Sequence, residues 1–339
     1  MDVCGMSVLT LGVDMMGRFC WNDIAKILFF HDKMPAEESF LAVMCFFSYF
    51  CAMKENHLPS MTYRQLWQQL VPLYEEGEAK AIVRTVLETR MGMSMTDILC
   101  DGTSRMSEEE RVRLERMMEQ LREAVPVQYV LGEAPFMGRM MCVEPGVLIP
   151  RPETEVLCRW VMDDCRADQP RILDVGCGSG CIAVSLALEI PGAHVTAFDI
   201  SAKALEMTAR NASLLGAPVV VERRDALHLM AEAGRWEVIV SNPPYICEGE
   251  ATAMHRNVLD HEPHEALFVP DADPLLFYRA IARYAATALT DGGALFFECN
   301  PGYVPATVTM LSEIGFTEVQ TREDQFGKLR FVKAGKYEK

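Results

Sequence analysis

From Arg171 to the C-terminus, short apolar runs alternate with amphipathic segments, and that alternation limits the fold more than any other feature of the chain. RILDV, HVTAFD, VVVER, WEVIVSN and GALFFEC read as strands buried on both faces. CIAVSLALEI, AKALEMTARNASLL and PLLFYRAIARYAATAL read as the helices between them. Strands that alternate with helices predict an α/β fold, a mostly parallel sheet covered on both faces. FTEVQ and KLRFVKA pair as late antiparallel strands and give the sheet an antiparallel edge.

Upstream, the texture changes twice. Residues 61–125 read as a small helical domain, expected to bind a substrate or partner. Leu66, Leu70 and Leu73 fall on one helix face, and Ile82, Val83, Val86 and Leu87 on another. Asp97 is read as opening a short helix, and Ser107 with Glu110 as a capping box for a helix from Glu108 to Ala124. Residues 126–150, where Val, Tyr, Phe and Met mix with Gly and Pro, read as a hairpin connector to a catalytic domain over 151–339. Residues 1–60 hold no usable motif. They are either an upstream extension, with Met61 a second possible start, or an extra helical element that packs Phe46, Phe47 and Phe50 against the body.

Composition narrows the function. A formal net charge of −16 argues against a broad basic face for nucleic acid, and no direct nucleic-acid contact is expected. It suits a basic protein partner. Twelve cysteines include no C-x-x-C pair, so zinc ribbons and thioredoxin-type sites are unsupported and free thiols in a reducing cytosol are expected. No apolar run reaches the roughly 20 residues that span a bilayer. The expected location is cytoplasmic, without a membrane contact. His255, His261 and His264 lie close together, but no fourth ligand or spacing supports a metal, and none is predicted.

Three constellations carry chemistry. At the carboxyl end of the first strand, Asp174 precedes a glycine loop, Gly176-Cys177-Gly178-Ser179-Gly180. A dinucleotide fingerprint would place a third glycine at position 181, where the chain has Cys181. The loop fits a cradle for the aminocarboxypropyl arm of S-adenosylmethionine better, with a tight strand-to-helix turn as the alternative. Asp199, ending the second strand, either accepts from both ribose hydroxyls or caps the next helix. Asp225 either accepts from an adenine amino group or serves a turn.

The third constellation is Asn242-Pro243-Pro244-Tyr245 after WEVIVS. Asn242 offers a carbonyl oxygen to one N–H of an NH2 group, and the Pro243 backbone carbonyl suits the other. The prolines stiffen the turn. Tyr245 supplies a flat ring for a planar amide or base. Two acceptors aimed at the amide protons hold the nitrogen lone pair in line for methyl transfer, a contribution mainly of orientation.

LIPRPETE (Leu148 to Glu155), DVGCGSG, SNPPYI and HEPHEALF (His261 to Phe268), in that order and spacing, resemble the HemK/PrmC glutamine methyltransferases over roughly residues 62–335. The resemblance implies a class I S-adenosylmethionine methyltransferase fold, a Rossmann-like seven-stranded sheet with a small N-terminal helical domain. It implies S-adenosylmethionine as cofactor and a class I peptide chain release factor as protein substrate, methylated on the glutamine amide of its Gly-Gly-Gln motif. Carried over, Gly176 to Gly180 line the cofactor, Asp199 the ribose, and Asn242 to Tyr245 the glutamine amide. Arg151, Glu153 and their neighbours in PRPETE wall the pocket, with an Arg151–Glu153 ion pair as the structural alternative. Two segments depart from the family's pattern: FVPDADP stands in place of a glycine pair, and ECNPGY in place of EIG-x-x-Q.

Other readings stay open at this point. A sister group methylates a glutamine of a large-subunit ribosomal protein, and NPPY also serves methyltransferases of adenine or guanine amines. A non-catalytic cofactor-binding scaffold has no need of all these residues together. Cys181 and NPPY count against a nicotinamide oxidoreductase.

Overall fold

A computed structural model describes residues 60–336, apart from 231. Both readings of the N-terminal extension concern residues outside that range.

The helical region opens with α1 (Tyr63–Gln68), α2 (Glu76–Met91), α3 (Met95–Leu99) and α4 (Glu108–Arg122). Ile82, Val83, Val86 and Leu87 are all buried, as their spacing predicts, and pack with Leu66, Leu70, Met118 and Leu121. Helix α1 stops at Gln68, ahead of Pro72, so Leu70 reaches the core from a turn and Leu73 is only half-buried. Helix α3 begins differently from the expectation. Ser94 is its N-cap, and Asp97 is the third residue, completing a capping box with it. At α4 the predicted box is present: Ser107 Oγ accepts from the Glu110 N–H at 3.3 Å, and Glu110 Oε2 accepts from the Ser107 N–H at 2.8 Å.

The connector holds one helical turn that the sequence pattern does not announce, α5 (Val127–Leu131), ended by Gly132 in the left-handed region. The hairpin follows as β1 (Glu133–Phe136) and β2 (Arg139–Cys142), paired antiparallel.

The remainder is the expected α/β layer structure. After α6 (Thr154–Asp164) come β3 (Arg171–Val175), α7 (Cys181–Glu189), β4 (His194–Asp199), α8 (Ala202–Leu215), β5 (Val219–Arg223) and β6 (Trp236–Ser241). Two short pieces, β7 (Ile246–Cys247) and β8 (Phe268–Val269), flank α9 (Arg256–Leu259) and α10 (His264–Leu267). The chain closes with α11 (Leu276–Ala288), β9 (Leu289–Glu298), α12 (Val304–Ile314), β10 (Thr317–Glu323) and β11 (Leu329–Gly335). The main sheet has seven strands in the order β10-β11-β9-β6-β3-β4-β5. Strands β5, β4, β3, β6 and β9 are parallel neighbours, and β11 runs antiparallel to both β9 and β10.

Burial follows the layers. Leu157, Val161, Val184 and Leu186 pack one face of the sheet, and Tyr278, Ile281, Ala285 and Leu311 the other. Strand β3 lies where the strand order turns back, with β4 on one side and β6 on the other. In an open parallel sheet, loops diverge at such a point and leave a crevice beyond the carboxyl ends of the strands.

Candidate active site

Each parallel strand delivers one part of the crevice at its carboxyl end. Strand β3 leads into the glycine loop and β4 ends at Asp199. Strand β5 leads to Arg224 and Asp225, β6 to Asn242, and β9 ends at Glu298. A cavity of about 320 Å³ lies over this crest, within the usual range for small-molecule sites. Its walls include Gly176, Cys177, Gly178, Ser179, Asp199, Asp225, Asn242, Pro243, Pro244 and Arg151. Gly180, Tyr245 and Glu153 are not among its lining residues.

The glycine loop is bent by backbone geometry that only glycine adopts readily. Gly176, Gly178 and Gly180 have φ of +77°, +54° and +78°. The Gly176 and Cys177 N–H groups donate to the Phe198 carbonyl at 2.8 and 3.0 Å, which ties the loop to the end of β4. Gly180 serves packing: a Cβ there would lie 2.8 Å from Thr208 Cγ2. Two buried polar residues of α8 hold the loop from behind. Thr208 Oγ1 donates to the Gly178 carbonyl at 3.1 Å, and Asn211 Nδ2 donates to the Ser179 carbonyl at 2.9 Å. Asn211 also accepts from the Cys142 N–H at 2.7 Å, joining the hairpin to the loop. The sequence reading missed Asn211; its signal was a polar residue on the apolar face of an otherwise regular amphipathic helix.

Asp199 faces two ways. Its Oδ2 accepts from the Gly178 N–H at 3.0 Å and its Oδ1 from the Ser201 N–H at 2.9 Å. The adjoining cap of α8 is Ser201 rather than Asp199. Burial raises the Asp199 carboxyl above its ordinary value, against the pull of those N–H donors. Asp174, fully buried beneath the loop, is pushed up to about 7 by burial. Its Oδ2 accepts from the Ala183 N–H at 3.1 Å, while Oδ1 has no hydrogen-bond partner. Asp225 lies 2.7 Å from His228 Nδ1 and accepts from the Leu227 N–H at 2.9 Å, so it serves a turn as well as lining the cavity.

Around Asn242 the structure gathers residues far apart in sequence. Asn242 Nδ2 donates to Thr154 Oγ1 at 3.3 Å, and Thr154 Oγ1 donates to Glu298 Oε2 at 2.6 Å. The Tyr245 hydroxyl donates to Glu298 Oε1 at 3.3 Å, its ring half-buried against the core rather than lining the cavity. The Tyr245 N–H donates to the Leu267 carbonyl at 3.2 Å, and parallel β7–β8 pairing continues that link into the HEPHEALF segment. Thr154 belongs to the PRPETE segment expected to wall the pocket, and it does line the cavity. Its link to Asn242 and Glu298 has no signal in the sequence, and Glu298 was not singled out.

Of the two readings of Arg151 and Glu153, the ion pair between them does not form, and Arg151 lines the cavity while paired elsewhere. Arg151 Nη2 contacts Glu262 Oε1 at 2.6 Å, and the other Glu262 oxygen accepts from the Ile149 N–H at 3.2 Å. Glu153 precedes α6 without a side-chain cap. The histidines do not converge: His261 contacts the Glu123 carbonyl, and His264 stacks on Phe268. No cluster of metal-ligating side chains exists among the described residues.

These features fit S-adenosylmethionine. Gly176 and Gly178, both at positive φ, leave backbone exposed to a ligand, and a half-buried carboxyl, Asp199, stands at the end of the neighbouring strand.

Comparison with known proteins agrees. The family model "PrmC N-terminal domain" matches residues 63–132, and "Methyltransferase small domain" matches residues 153–265. The release factor glutamine methyltransferase of Bacteroides thetaiotaomicron is 40% identical over 270 residues, 79% of this chain and 97% of that protein. That of Flavobacterium psychrophilum is 36% identical over 273 residues, 79% of this chain and 96% of the relative. That of Neisseria gonorrhoeae is 38% identical over 263 residues, 77% and 93% of the two chains. This chain therefore belongs to the release factor glutamine methyltransferase family, enzymes dependent on S-adenosylmethionine.

Proposed function

We propose that the protein methylates the side-chain amide nitrogen of the glutamine in the Gly-Gly-Gln motif of a class I peptide chain release factor, in the cytoplasm. The observation that carries this reading is Asn242. It stands on the crest of the sheet, at the wall of the cavity that fits the cofactor, with Nδ2 turned to Thr154.

When bound, S-adenosylmethionine supplies a methyl group on a sulfonium sulfur. The residues of the chain do the rest. Gly176 to Ser179 cradle the cofactor's amino-acid arm, with Gly180 packed behind them on Thr208, Asp199 accepts from the ribose, and Asp225 stands toward the adenine. Asn242 Oδ1 and the Pro243 carbonyl accept the two N–H protons of the substrate amide, and Tyr245, packed against the core with its hydroxyl on Glu298, braces the turn that carries them. An amide nitrogen is a poor nucleophile because its lone pair is delocalised into the carbonyl. Fixing both protons turns that lone pair toward the methyl, and orientation of this kind contributes up to about 7–11 kcal/mol. No base has to act first, because the nitrogen becomes strongly acidic once alkylated.

Arg151, clamped by Glu262, steadies the wall at Leu148 to Pro150. The helices α1–α4 are read as the surface that receives the release factor.

The test is methyl transfer from labelled S-adenosylmethionine to a panel of a release factor, its Gln→Ala variant, ribosomal protein and DNA. Label confined to the unmodified release factor is the expected result. Label on ribosomal protein or DNA alone would overturn the substrate.

A further inference from the structure

Asn242 can accept an N–H from a substrate only if its amide turns oxygen, not nitrogen, toward the cavity. The two ends of an Asn side chain have nearly the same shape, so something outside Asn242 must choose between them. The choice is made by Thr154. Its hydroxyl carries one proton, and at 2.6 Å that proton is committed to Glu298 Oε2. Toward Asn242, 3.3 Å away, Thr154 therefore has only lone pairs, and the atom facing it must be Nδ2. Oδ1 is left with no hydrogen-bond partner among the described residues, on a side chain that lines the cavity.

Resting on the role proposed above for Asn242, we infer that Thr154 and Glu298 are positioning residues that lock the Asn242 amide in its accepting orientation, and that protonation of Glu298 releases the lock. A proton taken from solvent onto Glu298 Oε2 makes the carboxyl a donor to Thr154. The Thr154 proton is then free to turn to Asn242, which satisfies it by rotating Oδ1 inward. Asn242 now presents Nδ2–H to the substrate amide, donor against donor, and methyl transfer stops. Apart from the O–H bond formed on Glu298, only these hydrogen bonds change.

The surroundings of Glu298 set where this happens. The side chain is buried, 1% exposed as a residue, and burial raises its carboxyl above the ordinary glutamate value. Thr154 from α6 and Arg330 from β11 oppose the rise, as does the Tyr245 hydroxyl after β6, while Glu153 ahead of α6 adds to it. Arg330 is itself held by Asp324 at 2.9 Å. The thiols of Cys299 on the same segment, Cys158 on α6 and Cys181 on α7 also feel Glu298, and burial keeps all three far from ionising at neutral pH.

The experiment measures kcat on a glutamine peptide at saturating S-adenosylmethionine across acid to neutral pH. It uses wild type, Thr154→Val, Thr154→Ser and Glu298→Gln. Alongside, it measures the affinity of the unreacted peptide with S-adenosylhomocysteine bound. Thr154→Val, isosteric but without the hydroxyl, is expected to lose about 10- to 100-fold in kcat, with cofactor affinity changed far less. Thr154→Ser should recover most of that loss. Wild-type kcat and peptide affinity should fall together on the acid side, above the pH where an ordinary glutamate titrates, and Glu298→Gln should flatten both falls. A Thr154→Val enzyme with wild-type kcat, or an acid limb unchanged in Glu298→Gln, would overturn the lock. If Glu298→Gln does not fold, the pH profile of Thr154→Val decides: without the hydroxyl the acid falls should flatten, and an acid limb unchanged from wild type would overturn the lock. A folded, cofactor-binding wild type that methylates no glutamine peptide at any pH is a different result, and overturns the proposed function itself.

Discussion

Arg151 and Glu262 form an ion pair at 2.6 Å across 111 residues of sequence, and the Glu262 side chain is 1% exposed while that of Arg151 is 30% exposed. The same carboxylate accepts from the buried Ile149 N–H. One glutamate thus ties down both a charge and a backbone donor in the segment that walls the cofactor cavity. Glu262→Ala leaves that N–H without its partner and Arg151 to solvent. It should cost about 1–3 kcal/mol in urea unfolding and weaken S-adenosylmethionine binding measured by calorimetry. Glu153→Ala should change both quantities little.

Asp174 makes stability depend on pH. An ordinary aspartate titrates near 3.8, and burial brings this one to about 7. A folded-state value above the unfolded one means the contribution is fully present below about pH 4 and is lost as pH rises through about 7. For the ligand-free protein, Asp174→Asn should remove that part of the dependence. Above pH 7 it should stabilise by at most roughly 4 kcal/mol, read from denaturation midpoints across pH. A variant less stable than wild type above pH 7 would show that the ionised carboxylate is compensated.

Much of the scaffold could be read from the chain because its signals are local. Helix α8 spans the residues its pattern marks, Ala202–Leu215, and the Ser107 capping box needs only a three-residue spacing. Helix α5 escaped because five residues after a proline give no helical period. Strand β9 begins four residues before GALFFEC, at Leu289, because Thr290-Asp291-Gly292-Gly293 reads as a turn. The lining of the cavity was legible where a loop follows a strand, as at Gly176 to Ser179, Asp199 and Asn242. The site was illegible where partners meet only through topology. Thr154 and Glu298 are 144 residues apart, and nothing near either announces the other. Arg151 has an acidic neighbour two positions away, which kept an ion-pair reading open beside the pocket-wall reading, whereas its partner in the fold is Glu262, 111 residues on.

Gly180 separates conformational strain from close packing. Its φ is +78°, and a Cβ would also meet Thr208 at 2.8 Å. Gly216, at the end of α8, has a φ of +70° with nothing within 4 Å of such a Cβ. Gly216→Ala should cost about 1 kcal/mol, whereas Gly180→Ala should cost clearly more and lower cofactor affinity by disturbing the loop. Equal melting-temperature losses would contradict the packing role.

Asn300 stands where the family's pattern has glycine, and its side chain joins the loop that follows Asn242. Nδ2 donates to the Tyr245 carbonyl at 3.3 Å and to Glu250 Oε1 at 3.0 Å. Asn300→Gly should loosen residues 245–250, with faster hydrogen exchange there and a several-fold lower kcat/KM for the release factor. Cofactor affinity should stay close to wild type.

The most direct test of the account locates the methyl group. Release factor treated with the protein and S-adenosylmethionine is digested and fragmented by mass spectrometry, with Asn242→Ala in parallel. The account predicts one added methyl on the side-chain amide of the Gly-Gly-Gln glutamine, and at least about 100-fold less with Asn242→Ala although that variant still binds cofactor. A methyl on any other residue, or an undiminished yield from Asn242→Ala, would contradict it.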